Sequence, residues 1–430
     1  MNKQYAGRFK VNSVTLLTNS GYTMDLSKVT VKIKIEESIL KDSISGEITF
    51  VETTDFTNAA SMIGQERLFI SLGTPLNQNR IDKEALIDFD NQPLYVYKMM
   101  NIGIGVNKSV NGVKLFFVSD NAFKNLRTRV SKSYKGNCSS VVERILKEQL
   151  KTKSDIEVEE SSNNIHMVSP NIRPYQMIDI ISRRSLNKDS NCSHLFYETT
   201  KGLRFNSIDS MFEREVDFAY SEGEPDPIFF NDYIDQIKIF QEIETLNIID
   251  HRNVMDSFKE GYFSSTLLLH NIYDKKVEER KIKFADTNST SMPYSLSKDE
   301  EENDLTQYDN SLVYSQLFNS GKSVGAEGDL HLNNFLNRRN KMLHLQRSFM
   351  IGMTVKGFSY LEPGMKLLIS TRKKSDVVKD NTNDFYDGEY ILSSITHEFM
   401  FDKMSYTMNL GCYKIGLNKD LPSININDFS

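Results

Sequence analysis

From Val29 to Glu36 the chain reads Val29-Thr30-Val31-Lys32-Ile33-Lys34-Ile35-Glu36, apolar at every odd position and polar at every even one. A period of two sets one face on a core and the other in water, which predicts a half-buried β-strand. Gly46, Ile48 and Phe50 continue the pattern in a second strand. Leu68, Ile70 and Leu72 share a face of a third over Arg67–Leu72, and a further strand runs from Leu94 to Met100. Asn111-Gly112, between Val110 and Val113, predicts a hairpin turn because both residues tolerate positive φ. Five or more short antiparallel strands within residues 1–120 predict a small barrel or sandwich.

The period then changes. Ser140 and Glu143 form a capping box, and Val141, Val142, Ile145, Leu146 and Leu150 recur at helical spacing, predicting a helix over 139–151. Pro174 suits the first turn of a second helix whose buried side carries Met177, Ile178 and Ile181. His194 to Phe205 predicts a hairpin turning at Lys201-Gly202. Residues 121–225 thus form a small α+β unit, closed by a linker at Glu222-Gly223-Glu224-Pro225-Asp226-Pro227. Ile234, Ile237 and Ile239 predict a strand, and the stretch on to Phe258 fits strand or helix.

Residues 286–330 are polar and carry the acidic run Asp299-Glu300-Glu301-Glu302-Asn303-Asp304, a long surface excursion. A helix follows, with Phe335, Leu336, Arg339, Met342 and Leu343 at compatible spacing. Alternation returns at Phe349, Ile351, Met353 and Val355, turns at Lys356-Gly357, and reaches Pro363-Gly364, a pair suited to a type II turn. Met365, Leu367 and Ile369 face one side, and a charged loop spans Arg372 to Asp384. The closing hairpin runs from Asp387 through Gly388, Tyr390, His397 and Phe399, breaks at Asp402-Lys403, and returns with Met404, Tyr406, Met408 and Leu410 on one face.

At 430 residues, 39% hydrophobic and 26% charged, the chain has the composition of a globular protein of two to four domains. A formal net charge of −6 disfavours a general phosphate-backbone-binding surface. No apolar run approaches the roughly 20 residues that span a bilayer, and Met1 to Gly7 lacks the apolar core of a signal peptide. Folding in a cytoplasm without a membrane anchor is expected. Cys138, Cys192 and Cys412 are widely separated and odd in number, so neither a disulfide framework nor a zinc site is expected.

The motifs of catalysis are incomplete. Gly321-Lys322-Ser323 has Gln316 where a phosphate-binding loop needs glycine, and Gly103-Ile104-Gly105 lacks a third glycine and sits in a predicted strand. The histidines, His166, His194, His251, His270, His331, His344 and His397, include no H-E-x-x-H or close pair for a metal. His397, beside Glu398 in a predicted strand, reads as a hydrogen-bonded wall or interface residue. No G-x-S-x-G elbow occurs. The conspicuous acids of 299–304 lie in the excursion with no aromatic cluster to shape a sugar site. Neither enzymatic activity nor a cofactor is expected.

Several segments, in order, resemble the baseplate hub proteins of contractile-tailed phages and the hub part of VgrG-like spike proteins. Tyr175 to Arg183, followed by Phe196-Tyr197-Glu198 and Gly202-Leu203-Arg204-Phe205, resembles the family's helix leading into a hairpin. Gly261-Tyr262-Phe263-Ser264-Ser265 with Asp274-Lys275-Lys276 is similar to the segment leaving the second barrel. Arg347 to Ile369 and Gly388 to Leu410 resemble the returning strands. The motif and turn positions are Pro174, Gly202, Gly261, Gly357, Pro363, Gly364, Gly388, Tyr390, His397 and Tyr406.

The resemblance implies an α+β, mainly β fold with two tail-tube-like antiparallel β-barrels, at 1–120 and at 226–258 with 345–417. Between them lie the α+β domain (121–225) and a polar insertion (259–344), with a tail at 418–430. It further implies a homotrimer at the virion's tail baseplate, in which three chains with two barrels each adapt a sixfold tail tube to a trimeric central spike. The partners implied are that spike, the tube protein or its initiator and other baseplate proteins, with DNA only in transit through the channel. Two competing readings are a tail-associated peptidoglycan hydrolase, which needs carboxylates facing a cleft, and a receptor glycan-binding module, which the absence of Trp disfavours.

Overall fold

The computed structural model describes residues 7–52, 62–74, 86–103, 111–222, 238–249, 253–271, 275–283, 312–318, 335–347, 349–371 and 386–414. The first β-rich segment supplies β1 (Lys10–Leu17), β2 (Thr23–Asp25), β3 (Thr30–Ser38), β4 (Ser45–Glu52), β5 (Arg67–Gly73), β6 (Leu86–Asp88), β7 (Leu94–Gly103) and β8 (Asn111–Val118). Next come α1 (Asp120–Arg127), β9 (Ser133–Asn137), α2 (Cys138–Arg144, prolonged by a π-helical stretch Ile145–Leu150), β10 (Ile156–Val158) and β11 (Asn164–Val168). They are followed by α3 (Pro174–Ser182), β12 (His194–Thr199), β13 (Gly202–Ser207) and α4 (Ile208–Glu213). β14 (Phe218–Ser221), a 3-10 turn (Lys238–Gln241), β15 (Ile243–Ile249) and α5 (Val254–Lys259) lead to β16 (Ser264–Asn271), β17 (Lys276–Lys283), β18 (Val313–Phe318) and α6 (Phe335–Arg347). The last strands are β19 (Met350–Lys356), β20 (Lys366–Ser370), β21 (Gly388–Met400) and β22 (Ser405–Lys414).

The fold is α+β and mainly β, as the alternation predicts. Its two β-rich ends are one sheet. Fourteen strands follow the order β15-β19-β22-β21-β3-β4-β8-β7-β5-β1-β2, with β6 beside β5, β20 beside β21 and β14 beside β20. The join is β3 against β21, antiparallel, from Ser38 opposite Ser394 to Lys32 opposite Met400. Among the described residues the path is open at β15 and β2. A single apolar core runs beneath it, with Ile33, Ile35, Ile48 and Phe117 from one half and Ile351, Val355, Ile395 and Phe399 from the other.

A second core lies between α2, α3 and the β12–β13 hairpin, built from Val141, Val142, Ile145, Met177, Ile178, Leu203 and Phe205. Pro174 is the first residue of α3, as its fixed φ favours. In the insertion, β16 lies between β17 and β18, and its Leu267 and Leu269 pack on Leu336 of α6. No helix among the described residues is long and apolar enough to cross a membrane.

Several sequence expectations are corrected. β7 and β8 form the expected antiparallel pair, but Asn111 and Gly112 lie within β8 opposite Gly103 and Ile102, and residues 104–110 between them are outside the described residues. The α2 cap is Asn137, whose side chain accepts from Ser139 N at 3.0 Å. Ser140 is already inside the helix, so its hydroxyl cannot occupy the capping position. Ile239 belongs to the 3-10 turn rather than a strand, and the ambiguous stretch to Phe258 is β15 followed by α5. The excursion contains a strand, β18, parallel to β16. Its acidic run 299–304, the Gly321-Lys322-Ser323 motif, most of the Glu222–Pro227 linker, Ile234, Ile237, the loop 372–384 and residues 418–430 lie outside the described residues.

Because both halves share one sheet and one core, they are expected to unfold as a unit. Ile395, fully buried beside β3, is the probe. Ile395→Ala is expected to destabilise by about 2–5 kcal/mol, and probes placed in β4 and β19 should report the same lowered midpoint in chemical denaturation. Two separate transitions would refute the shared core.

Candidate functional site

The β3–β21 join holds a polar group where alternation calls for an apolar one. Ile33, Ile35 and Glu37 share the buried face of β3, and Glu37 is 1% exposed. Its carboxylate accepts from His397 Nε2 at 2.8 Å and from the Thr200 backbone N at 2.7 Å. In the neutral ring, a proton on Nε2 leaves Nδ1 as an acceptor, and Tyr406 donates its hydroxyl there at 2.7 Å. His397 and Tyr406 are fully buried. Burial, with the Glu37 charge nearby, holds the Tyr406 phenol well above its ordinary value, so it stays a donor. Its ring stacks on Phe399 at 4.2 Å between centroids.

Gly357, just past β19, completes this group. A β-carbon there would overlap the Tyr406 ring, and Gly357 N donates to Tyr406 O at 2.8 Å. Only glycine allows this approach.

The β12–β13 turn meets the β19–β20 connection on the Thr200 side. Thr199 Oγ1 and Arg204 Nη2 both donate to Glu362 Oε2, at 3.0 and 3.2 Å. Lys201 Nζ donates to Tyr360 O. Pro363 and Gly364 occupy the centre of the turn Glu362–Met365, with Gly364 at φ +94°. The type II geometry predicted for the pair needs that positive φ at its third residue. A side chain at Gly364 would also press on Tyr197 Oη, at 2.5 Å.

Glu198, on β12, makes a second buried joint. Its carboxylate accepts from Ile44 N at 3.2 Å, from Asn121 Nδ2 at 2.7 Å and from the Ser119 hydroxyl, the side-chain cap of α1. One side chain thus ties β12 to the entry of β4 and to the start of α1. Burial pushes its carboxyl up to about 7, against the pull of these three donors.

Six of the ten motif positions, Gly202, Gly357, Pro363, Gly364, His397 and Tyr406, are brought to these joints. The other four are not. Gly388 and Tyr390 open β21, where Tyr390 Oη donates to Tyr386 O at 2.6 Å. Gly261, at φ +70°, follows α5 in the insertion, and Pro174 starts α3. Glu37 escaped the sequence reading, although it continues the odd-numbered register of Val31, Ile33 and Ile35 with a carboxylate, which is the signal that marks it. The joints have the chemistry of fasteners. Glu37, His397 and Tyr406 offer no surface to a substrate, and no group of three or more His, Cys, Asp or Glu able to hold a metal occurs among the described residues.

No family model and no curated protein matches the sequence. Solved structures do. The tail protein from Neisseria meningitidis MC58 superposes with a TM-score of 0.54 at 9% identity, covering 95% of this chain and 97% of that one. The 43 kDa tail protein of prophage MuSo2 from Shewanella oneidensis gives 0.51 at 9% identity, covering 94% and 97%. The chain has a tail-protein fold. The tail-protein fold read from scattered sequence segments is therefore present over nearly the whole chain, at an identity too low for any one segment to show it.

Two outcomes test the joints. Tyr406→Phe leaves His397 Nδ1 without its donor and is expected to destabilise by about 1–3 kcal/mol. Gly357→Ala, which crowds the same ring, should destabilise by about as much, both read by thermal melting. Glu198 supplies the pH test. A carboxyl whose folded value is raised from 4.5 to about 7 favours the folded state fully below pH 4.5. That contribution is lost as pH climbs to 7 and is flat beyond. The stability difference between the native chain and Glu198→Gln, which does not titrate, should therefore shrink by about 1–3 kcal/mol between pH 4.5 and 7.5. A constant difference would refute the raised value.

Proposed function

We propose that this chain is the structural hub subunit of a phage tail baseplate, forming a homotrimeric ring that joins the hexameric tail tube to the trimeric central spike. The observation that carries the reading is the β3–β21 join, which fixes two β-rich halves of one chain in a single sheet with the fold of tail proteins. Three such chains present six β modules, which reconciles a sixfold neighbour with a threefold one. The domain scheme has a first module in 1–120 and a second in 226–258 with 345–417. The α+β domain and the insertion flank these walls. The role is mechanical, with no reaction and no cofactor.

The outward face of the joined sheet supports a channel that lets DNA pass. Along β3, β4, β8 and β21 its lysines are each matched by a glutamate: Lys32 with Glu398 at 3.2 Å, Lys34 with Glu36 at 2.6 Å, and Lys114 with Glu47 at 3.1 Å. A surface whose cations are already paired releases few counterions to a polyanion and grips it weakly. The assembled subunit would reside in the virion at the tail baseplate, after folding in the host cytoplasm.

Native mass measurement and electron microscopy of the purified chain test this reading. The expected result is a trimer, alone or with a spike protein, whose ring shows threefold symmetry and an open centre. A chain that stays monomeric with spike and tube proteins present, or that cleaves purified peptidoglycan, would overturn it.

A further inference from the structure

The α+β domain carries opposite charges on its two sides. Residues 121–153 hold nine Lys or Arg against two Glu, a net +7 within a chain of net −6. The stretches 155–160 and 209–217 hold eight Asp or Glu against one Arg, a net −7. One apolar core lies between the two groups. Val141, Val142, Ile145, Leu146 and Leu150 of α2 and its π-helical stretch enter it from the helical side, and Ile156 and Val158 of β10 pack on it from the sheet. Alternation turns Glu157, between those two, away from the core, where its carboxylate meets Arg204.

Each group is contiguous in space. On the basic side Lys124 Nζ donates to Lys151 O at 3.4 Å, Lys132 Nζ to Glu148 Oε2 at 2.7 Å and Arg144 Nη2 to Lys135 O at 3.5 Å, which joins α1, β9 and α2 in one face. On the acidic side Arg214 Nη2 donates to Glu157 Oε1 at 3.0 Å and Ser210 Oγ to Glu159 Oε2 at 2.7 Å, which sets the two acidic stretches side by side. Counter-charges from elsewhere, Asp120 on the first side and Lys188, Arg204 and Lys341 on the second, reduce the contrast without reversing either sign. Lys135, Lys151 and Lys153 are exposed and make no ion pair among the described residues, and the same holds for Glu160 and Glu215.

We propose that the basic side of one α+β domain docks on the acidic side of the same domain in a second copy of this chain, head to tail. A ring of three identical chains is closed by heterologous contacts, in which two different patches of one chain must complement each other. This domain supplies such a pair, of opposite sign and nearly equal size, on opposite sides of one core. Single exposed ion pairs contribute little, but faces of opposite net charge steer the approach of two copies and fix their orientation, and like faces repel. The inference rests on the hub reading for the number of copies and on the charge distribution alone for which faces meet.

The test is a charge swap in the full chain, with assembly read by sedimentation and native mass measurement at low salt. Lys135→Glu, Lys151→Glu and Lys153→Glu together reverse the basic side, and Glu160→Lys with Glu215→Lys reverse the acidic one. Either set alone should weaken assembly at least tenfold, and both sets in one chain should restore it to within threefold of the unaltered chain. The substituted residues are exposed, and an unchanged melting temperature checks that each variant folds. Raising the salt from about 0.1 to about 1 M, which shortens the Debye length from about 10 to about 3 Å, should weaken the unaltered assembly at least tenfold. A trimer indifferent to single-side reversal, or one that the double reversal does not restore, would overturn the inference and leave the hub reading standing. Loss of binding to a DNA duplex on reversing the basic side, with assembly unchanged, would assign that side to nucleic acid and also overturn it. An open filament or a ring of another number that obeys the charge swap would sink the hub reading and leave the docking intact. A chain monomeric at low salt would overturn the docking, and the hub reading would fall with it only if spike and tube proteins also failed to assemble it.

Discussion

Burying a carboxylate inside a sheet is the constraint from which the rest of this architecture follows. Glu37 sits on the core side of β3, where an unmatched charge is destabilising by several kcal/mol. It is matched by one donor from β21 and one from the β12–β13 turn, 360 and 163 residues away along the chain. His397 in turn needs Tyr406, and Tyr406 needs the open space at Gly357. Each partner therefore specifies the next, and the chain reaches a satisfied state only when its two ends and its middle meet.

That polarity does something an apolar seam cannot. In the β3–β21 pairing, Ile33 faces Phe399, Ile35 faces His397 and Glu37 faces Ile395. A slip of two residues would keep every side chain on its own face and most apolar contacts in place, so hydrophobic burial discriminates weakly between registers. The Glu37–His397 bond runs diagonally across one register only, and the slipped pairing would strand a buried carboxylate. On the outer face Lys32 and Glu398 pair across the same strands, adding a smaller, solvent-screened preference.

Much of this was legible in the sequence because alternation in a half-buried strand is a local consequence of one face meeting a core. β3, β4, β5, β19 and β21 fall where period two places them, and Pro174 and Pro363-Gly364 announced their helix start and turn through fixed or positive φ. The joint itself was not legible as a joint. His397 and Tyr406 are nine residues apart and their contact is local, but Glu37 and Thr200 are brought in by pairing across the whole chain, which no local period encodes. The insertion misled for a related reason. Val313 to Phe318 becomes a strand by lying parallel to β16, a non-local pairing inside a stretch whose composition reads as loop.

The two buried carboxylates divide the labour between them. Glu37 joins the first β half to the second, and Glu198 joins the first β half to the α+β part, while the β12–β13 hairpin carries a link to each through Thr200 and Glu198. Apolar contacts are non-directional and let packed elements slide, whereas hydrogen bonds to a buried carboxyl group fix angle as well as distance. Placing such bonds at the boundaries between parts, and leaving the interiors of the parts to Ile, Leu, Val and Phe, makes the hairpin a bracket that holds three parts in one relation.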